Sequence, residues 1–238
     1  MSDLLILEDL TVRTPERTLV EGVSLRLARG EVTALIGPSG AGKSLCARAA
    51  MGVIDVRPGL ARGSLRLPDH AHGDLFEGVA DGGAPAHQRL FRTMKPLRGS
   101  VFTYAPQSAA SALNPGRTLG WQLAMAVRRR AEPPDDEARA IRELLAKVEL
   151  EPSAAAALPR ELSGGMAQRA ALAVALAPAP PILIADEPEA GLDPVTRRTI
   201  VELLWRLAVE QDTALWLISH DHEVVSRVAD RVVDLGER

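Results

Sequence analysis

The sequence predicts an α/β fold that carries an inserted all-helical subdomain, and three observations lead to this prediction. Short apolar runs typical of buried strands alternate with helical patterns near both ends of the chain. From about residue 114 to residue 162, apolar residues recur at helical spacing instead. A glycine-rich loop separates one apolar run from the helical pattern that follows it. The length of 238 residues suits one large domain or a core plus a subdomain.

The first third of the chain predicts mainly strands. "LLILEDLTV" and "EGVSLRL", joined by the turn "TPER", predict an N-terminal antiparallel β subdomain. "EVTALIG" predicts a buried strand, "GKSLCARAAMGVI" a helix, and "GSLRL" and "GSVFTYAPQ" two further strands. Residues 68–98 are rich in Gly, Pro, His and Asp, and we expect an irregular surface excursion there.

The rest of the chain predicts helices first and then strands and helices in alternation. "RTLGWQLAMAVRRRA" and "DDEARAIRELLAKVEL" predict two helices, and "EPPDD" supplies a break between them. "SGGMAQRAALAVALA", "PVTRRTIVELLWRLAVEQ" and "HEVVSRVAD" predict three more helices. "PPILIADEP", "TALWLISHD" and "RVVDLGE" predict the strands that alternate with them.

Composition narrows the class of protein. Apolar residues make up 46% and charged residues 25%, and the net charge of −3 gives no overall attraction to nucleic acid or to an anionic membrane. The single cysteine, Cys46, excludes an internal disulfide and is typical of a reducing compartment. The acidic start shows no signal-peptide pattern, and the longest apolar run is interrupted by prolines. We therefore expect a cytosolic chain, unless another protein holds it at a membrane.

The stretch "GPSGAGKS" (residues 37–44) matches the phosphate-loop pattern G-x-x-x-x-G-K-[ST] between a predicted strand and a predicted helix. Its glycines allow backbone N–H groups to turn towards nucleotide phosphates. Lys43 supplies a positive charge for the β- and γ-phosphates, and the Ser44 hydroxyl can bind Mg²⁺. The sequence thus predicts ATP or GTP binding by Gly37, Pro38, Ser39, Gly40, Ala41, Gly42, Lys43 and Ser44.

The stretch "PILIADEPEAGLDP" predicts the second half of a nucleotide site. Four apolar residues form a buried strand that ends in Asp186 and Glu187. Ligands of open α/β sheets bind at the carboxyl ends of strands, so both acids lie where a ligand is expected. Asp186 would hold Mg²⁺, directly or through water, and Glu187 could polarise the attacking water.

The order of "GPSGAGKS", Gln107, "LSGGMAQR", "ILIADEP", "GLD" and "SHD" resembles the ATP-binding subunits of ABC transporters along almost the whole chain. The resemblance implies an ABC ATPase fold: a P-loop NTPase core (1–106 and 163–238) that includes the β subdomain, and a helical subdomain (107–162). It also implies that two ATPase subunits pair head to tail. Each "LSGG" segment then covers the nucleotide held by the partner's phosphate loop, which explains why one chain has two glycine motifs.

The same resemblance implies roles for single residues. Ser163, Gly164 and Gly165 would offer a helix N-terminus to the γ-phosphate across the dimer interface. Ser163 can also be a simple helix N-cap, and the two roles are compatible. Asp193 would cross the same interface. The remaining roles belong to Gln107, which would sense Mg²⁺ and the attacking water, Glu187 as general base, and His220 as the switch histidine at the γ-phosphate.

A narrower resemblance concerns transport. "YAPQSAASALNP" and "LPRELSGGMAQR" are similar to ATPases of dipeptide, oligopeptide and nickel importers. This implies permease subunits in the membrane, a second ATPase subunit in a homodimer or heterodimer, and only indirect contact with a substrate-binding protein. It places the chain at the cytoplasmic face of the membrane as an Mg²⁺-dependent ATPase. The alternative is an ABC-type ATPase that serves a soluble multi-enzyme complex.

Two regions depart from the family pattern. Family members usually place an aromatic residue against adenine shortly after the first strand, whereas "VRTPERTL" has none, and Arg13 or Arg17 could stack there instead. The excursion at 68–98 carries His70, His72, His87, Asp69, Asp74 and Asp81. A regulatory metal site is conceivable there, but no spacing in the excursion is diagnostic of metal ligands.

Overall fold

The computed structural model describes residues 2–80, 82–108 and 112–236. One sheet of the described chain is antiparallel, in the order β2-β1-β4. Its strands are β1 (Asp3–Arg13), β2 (Thr18–Ala28) and β4 (Gly59–Arg66). Leu7 pairs with Leu25 on one side and with Leu65 on the other, and all three leucines are buried. The alternation of apolar and polar residues therefore builds a sheet with one buried face, as the sequence predicts.

The second sheet is parallel and has the order β5-β6-β7-β3-β8. It consists of β3 (Val32–Ile36), β5 (Phe102–Ala105), β6 (Ile182–Asp186), β7 (Ala214–Ile218) and β8 (Arg231–Asp234). Every residue of β3, β6 and β7 is buried, which explains their predominantly apolar sequences. The carboxyl ends of these parallel strands meet at one edge of the sheet, where the phosphate loop and Glu187 follow β3 and β6.

Seven α-helices belong to the described residues. They are α1 (Lys43–Ala50), α2 (Gly83–Met94), α3 (Leu119–Val127), α4 (Glu137–Lys147), α5 (Gly164–Leu176), α6 (Pro194–Glu210) and α7 (His222–Val228). Short 3₁₀ turns at Pro152–Ala156 and Pro159–Glu161 connect α4 to α5. Leu123 of α3, Leu144 of α4 and Leu172 of α5 share a buried cluster that extends to the parallel sheet. The mixed α/β architecture with a helix-rich middle segment agrees with the predicted fold class.

Two predictions about local structure were wrong. Residues 68–98 are not wholly irregular, because α2 occupies Gly83–Met94. Its buried residues Ala86, Leu90 and Met94 are spaced four apart, and Pro85 lies in the first turn, where a missing N–H is tolerated. Helix α1 ends at Ala50, earlier than the pattern suggests, because Gly52 has a φ of +69° and a Cβ there would lie 2.6 Å from Cγ of Met94.

None of the helices in the described ranges has both the length and the apolar character that a membrane crossing needs.

Candidate nucleotide site

The phosphate loop connects β3 to α1, and the packing of β2 against it fixes its backbone. Gly42 has a φ of +95°, and a Cβ at this position would lie 2.6 Å from Cγ2 of Val20 and 2.8 Å from the carbonyl oxygen of Leu19. Only glycine fits both the dihedral angle and the space. By contrast, residues 38–40 at the tip of the loop are exposed.

The Lys43 ammonium lies beneath this loop and is almost fully buried. Its Nζ donates hydrogen bonds to the carbonyl oxygens of Gly37 at 2.8 Å and Pro38 at 3.1 Å. It also lies 3.6 Å from Oε1 of Glu187, and only 4% of the lysine side chain is exposed. A buried charge with these partners is held in place, and it can attract anionic oxygens that enter the loop.

The hydroxyl of Ser44 and the carboxylate of Asp186 face each other. Ser44 Oγ donates to Asp186 Oδ1 at 3.0 Å, and the Tyr104 hydroxyl donates to Oδ2 at 2.5 Å. Burial raises the pKa of Tyr104, and the hydrogen bond to Asp186 adds to the effect, so the phenol stays protonated. Tyr104 is a site residue that sequence reasoning missed, although it lies on the strand that leads to Gln107.

The carboxylate of Glu187 is the meeting point of three other predicted residues. Gln107 Nε2 donates to its Oε2 at 3.1 Å, and His220 Nδ1 lies 3.5 Å from the same oxygen. Lys43 approaches Oε1, as described above. The backbone of Glu187 is left-handed, with a φ of +45°, and its N–H donates to the Ile218 carbonyl oxygen at 2.9 Å. Residues from three separate segments therefore converge on the carboxylate of Glu187.

The structure places Ser163, Gly164, Gly165 and Asp193 in a second group. Ser163 is the N-cap of α5 and accepts from Met166 N at 3.4 Å. Asp193 is the N-cap of α6, and the hydroxyl and N–H of Thr196 hold its pKa below the ordinary value. A Cβ on Gly165 would lie 3.2 Å from Cγ2 of Thr196, so the two helix N-termini are neighbours. No hydrogen bond or ion pair in the described part of the chain joins this group to residues 37–44.

The histidines and aspartates of the excursion at 68–98 have other contacts. His87 Nε2 accepts from Leu60 N at 3.2 Å, Asp74 Oδ1 accepts from the N–H groups of Leu65 and Phe76, and Asp69 pairs with Arg29. Within the described ranges, no group of three or more His, Cys, Asp or Glu side chains is arranged to hold a metal ion. Asp81 lies outside the described residues, so its contribution is not part of this result.

Arg13 and Arg17 line an open groove of about 530 Å³ at the turn between β1 and β2. The groove includes Thr18, the first residue of β2. It lies beside the phosphate loop, because the next two residues, Leu19 and Val20, pack against Gly42. Stacking of either arginine on a base remains a prediction.

A second groove of about 450 Å³ lies between β5 and α5, next to the strand that leads to Gln107. Thr103, Ala171 and Val174 are among its lining residues, and Oγ1 of Thr103 is buried without a hydrogen-bond partner among the described residues. Part of the importer-like stretch after Gln107, residues 109–111, lies outside the described residues.

Comparison with known proteins decides the family. Residues 20–190 match the ABC transporter family. The chain belongs to this family. This assignment confirms the resemblance to ATP-binding subunits of ABC transporters.

Similar curated proteins carry the name glutathione import ATP-binding protein GsiA. The protein of Salmonella choleraesuis (strain SC-B67) is 35% identical over 217 residues, which cover 90% of this chain and 34% of the relative. The protein of Escherichia coli O1:K1 / APEC is 32% identical over 239 residues, 97% of this chain and 37% of the relative. The chain thus spans about a third of the length of these relatives. Their names agree with the predicted resemblance to the importer branch.

Solved structures of ABC cassettes share the fold. A bacterial ABC transporter cassette solved as a dimer has a TM-score of 0.75 and 26% identity, with 98% of this chain and 94% of that chain covered. A dimeric post-hydrolysis cassette bound to ADP and Pi has a TM-score of 0.71 and 25% identity, with coverage of 97% and 93%. The protein cbiO1 from Clostridium perfringens, 23% identical with a TM-score of 0.76 and coverage of 98% and 85%, shows the fold alone. The predicted ABC ATPase fold is confirmed.

Proposed function

We propose that this chain is the ATP-hydrolysing, nucleotide-binding subunit that powers an ABC transporter. The observation that carries the proposal is the convergence of Lys43, Gln107 and His220 on Glu187, beside the pair formed by Ser44 and Asp186. The site thus holds a positive charge and two polar groups within 3.6 Å of a proton acceptor, and phosphoryl transfer requires such positioned groups of a protein.

Nucleotide binding falls to residues 37–44. Backbone N–H groups of the loop surround the phosphates, and Lys43 neutralises part of their charge at the β- and γ-positions. The donor set of Ser44 and Asp186, with Gln107 bonded to the adjacent residue Glu187, fits Mg²⁺ because hydroxyl, carboxylate and amide oxygens are the ligands that this ion prefers. When bound, Mg²⁺ would neutralise charge on the β- and γ-phosphates.

Hydrolysis is assigned to Glu187 as the general base. Its carboxylate accepts a proton from the attacking water, and Gln107 orients this water through the same carboxylate. His220, half exposed and 3.5 Å from Glu187, is placed to contact the γ-phosphate. The backbone hydrogen bond from Glu187 to Ile218 fixes the base on rigid strands instead of a free loop.

A second ATPase subunit completes each site. Ser163, Gly164 and Asp193 are exposed and have no hydrogen bond to the phosphate loop of their own chain among the described residues. The N-terminus of α5 can therefore bind the γ-phosphate of a nucleotide on another subunit, either a second copy or a different chain. The dimeric cassettes among the similar structures support this arrangement.

Permease subunits are the proposed partners in the membrane. A permease segment in the groove between β5 and α5 would contact the core (1–106 and 163–238) next to Gln107 and the helical subdomain (107–162) at once. When the two ATPase subunits close on ATP, their movement would then be transmitted to the permease subunits in the membrane. The chain would lie at the cytoplasmic face, with no role for nucleic acid and only indirect contact with a substrate-binding protein. Relatives named for glutathione import support an import function, and we propose peptides, nickel or a related small solute as the transported substrate.

Affinity isolation of the tagged protein from cells tests this proposal. We expect it in the membrane fraction together with multi-span subunits. Val174→Arg in the groove should abolish this co-isolation, whereas Val209→Arg on the exposed face of α6 should not, with ATP binding and melting temperature measured for both variants. Isolation only from the soluble fraction, with metabolic enzymes as partners, would contradict the transport function and favour an accessory ATPase.

A further inference from the structure

Glu189 is a buried carboxyl that the proposed mechanism does not use. Only 1% of Glu189 and none of Ser219 is exposed to solvent. Oε1 of Glu189 accepts a hydrogen bond from the Ser219 hydroxyl, and Oε2 is buried without a partner among the described residues. Buried polar atoms nearly always have a hydrogen-bond partner, so an unpaired carboxyl oxygen next to the proposed reaction centre suggests that Glu189 has a function there.

The surroundings of Glu189 favour its neutral form. Burial raises the pKa of the carboxyl, and the negative charge of Glu187 acts in the same direction, whereas the hydrogen bond with Ser219 and the His220 ring lower it. A neutral carboxyl is far cheaper to bury than a carboxylate.

The contact joins the segments that carry the proposed base and the switch histidine. Glu189 lies two residues after Glu187, and Ser219 lies between Ile218, which accepts the Glu187 N–H, and His220. Ser219 is fixed on its other sides, because its N–H donates to the Leu35 carbonyl oxygen at 3.3 Å and its Oγ accepts from Asp221 N at 3.0 Å. Loss of the contact would leave the Glu187–Ile218 backbone hydrogen bond but remove the side-chain hydrogen bond that also joins the two segments.

We propose that Glu189 is a positioning residue: through its hydrogen bond with Ser219 it sets the place of His220 relative to Glu187. This inference rests on the proposed ATPase function. Sub-ångström placement of such groups matters because misplacement by about 1 Å can cost roughly 100-fold in rate.

Steady-state kinetics of ATP hydrolysis test this role. Glu189→Ala should lower kcat by about 10-fold or more and leave KM for ATP within about 2-fold, because the phosphate loop is untouched. Glu189→Gln, neutral and of the same shape, should retain most of the activity. In a His220→Ala background, Glu189→Ala should add less than about 2-fold, because the residue it positions is already gone.

Thr213→Val is the matched control. Thr213 is also buried and directly precedes β7, the strand that Ser219 follows, and its hydroxyl donates to the Pro180 carbonyl oxygen at 3.3 Å. The Thr213→Val substitution should lower the melting temperature without lowering kcat. If Glu189→Ala does not fold, Ser219→Ala tests the same contact. The proposal would be overturned by an unchanged kcat in Glu189→Ala. It would also be overturned if Glu189→Ala lowered kcat as strongly in the His220→Ala background as in the wild type, or if Thr213→Val lowered kcat by the same factor.

A readout that needs no hydrolysis separates this proposal from the proposed function. The ring NMR signals of His220 in the nucleotide-free protein should shift in Glu189→Ala and stay in place in Thr213→Val. Unshifted signals would refute the positioning role even in an active ATPase. Shifted signals in a chain that hydrolyses no ATP would uphold the contact and refute the ATPase assignment.

Discussion

The hydroxyl of Ser44 lies 3.0 Å from Oδ1 of Asp186, although 142 residues separate the two in the sequence. Ser44 lies in the first turn of α1, after the phosphate loop that follows β3, and Asp186 ends β6. Only β7 lies between the parallel strands β3 and β6. Because the strands run parallel, their carboxyl ends lie at one edge of the sheet, so distant motifs form one site. The proximity of the two candidate magnesium ligands is thus a consequence of the strand order.

Lys43→Ala should weaken ATP binding by about 10-fold or more, because a buried ammonium beneath the phosphate loop is lost. Isothermal titration with ATP measures the change. Lys147→Ala, at the exposed end of α4, is the control and should bind like the wild type. Equal affinity in Lys43→Ala would mean that nucleotide does not occupy this loop.

Tyr104→Phe should raise the Mg²⁺ concentration needed for half-maximal ATPase activity by about 10-fold, since the phenol orients the Asp186 carboxylate. Mg²⁺ titrations at saturating ATP provide the measurement. Thr103→Val removes a hydroxyl from the neighbouring position of β5 and should leave the Mg²⁺ requirement as it is. The orienting role is refuted if both variants behave alike.

Gly164→Asp should fold normally, because nothing lies within 4 Å of a Cβ at this position. A carboxylate at the N-terminus of α5 would repel the γ-phosphate of a partner's nucleotide, so ATP should no longer induce a dimer. Light scattering with ATP, in a Glu187→Gln background that does not hydrolyse it, measures the mass. Gly73→Asp, at another open position, is the control. An intact ATP-dependent dimer in Gly164→Asp would contradict the proposed interface.

Asp221 should make the free energy of unfolding depend on pH in the acid range. The Val224 N–H chiefly holds its pKa below the ordinary value, helped by Arg197. Its contribution is present above the unfolded pKa of about 3.9 and is lost as pH falls through the lower folded pKa. Asn also caps helices, so Asp221→Asn should keep a folded α7 but lose less stability between pH 4 and pH 2. Urea unfolding at several pH values in this range measures how the free energy of unfolding of each protein changes with pH. Equal changes in the wild type and in Asp221→Asn would rule out Asp221 as a source of the acid sensitivity.

Sequence patterns locate the strands and the motif residues well, because buried parallel strands and glycine loops have distinctive local sequences. They do not find α2, since glycines and a proline at its start hide the four-residue spacing of Ala86, Leu90 and Met94. They also miss Tyr104 and Glu189. The roles proposed for both residues come from contacts with Asp186, the last residue of β6, and with Ser219, directly after β7, which no local pattern encodes.

The central claim is that Glu187 turns bound ATP into ADP and phosphate at this site. Phosphate release by the wild type and by Glu187→Gln, with ATP affinity measured on the same samples, tests it most directly. We predict steady release by the wild type, a loss of at least about 100-fold in the variant, and nearly equal ATP affinity in both. Equal release rates in the two proteins would contradict the account, as would a wild type that binds ATP and never hydrolyses it.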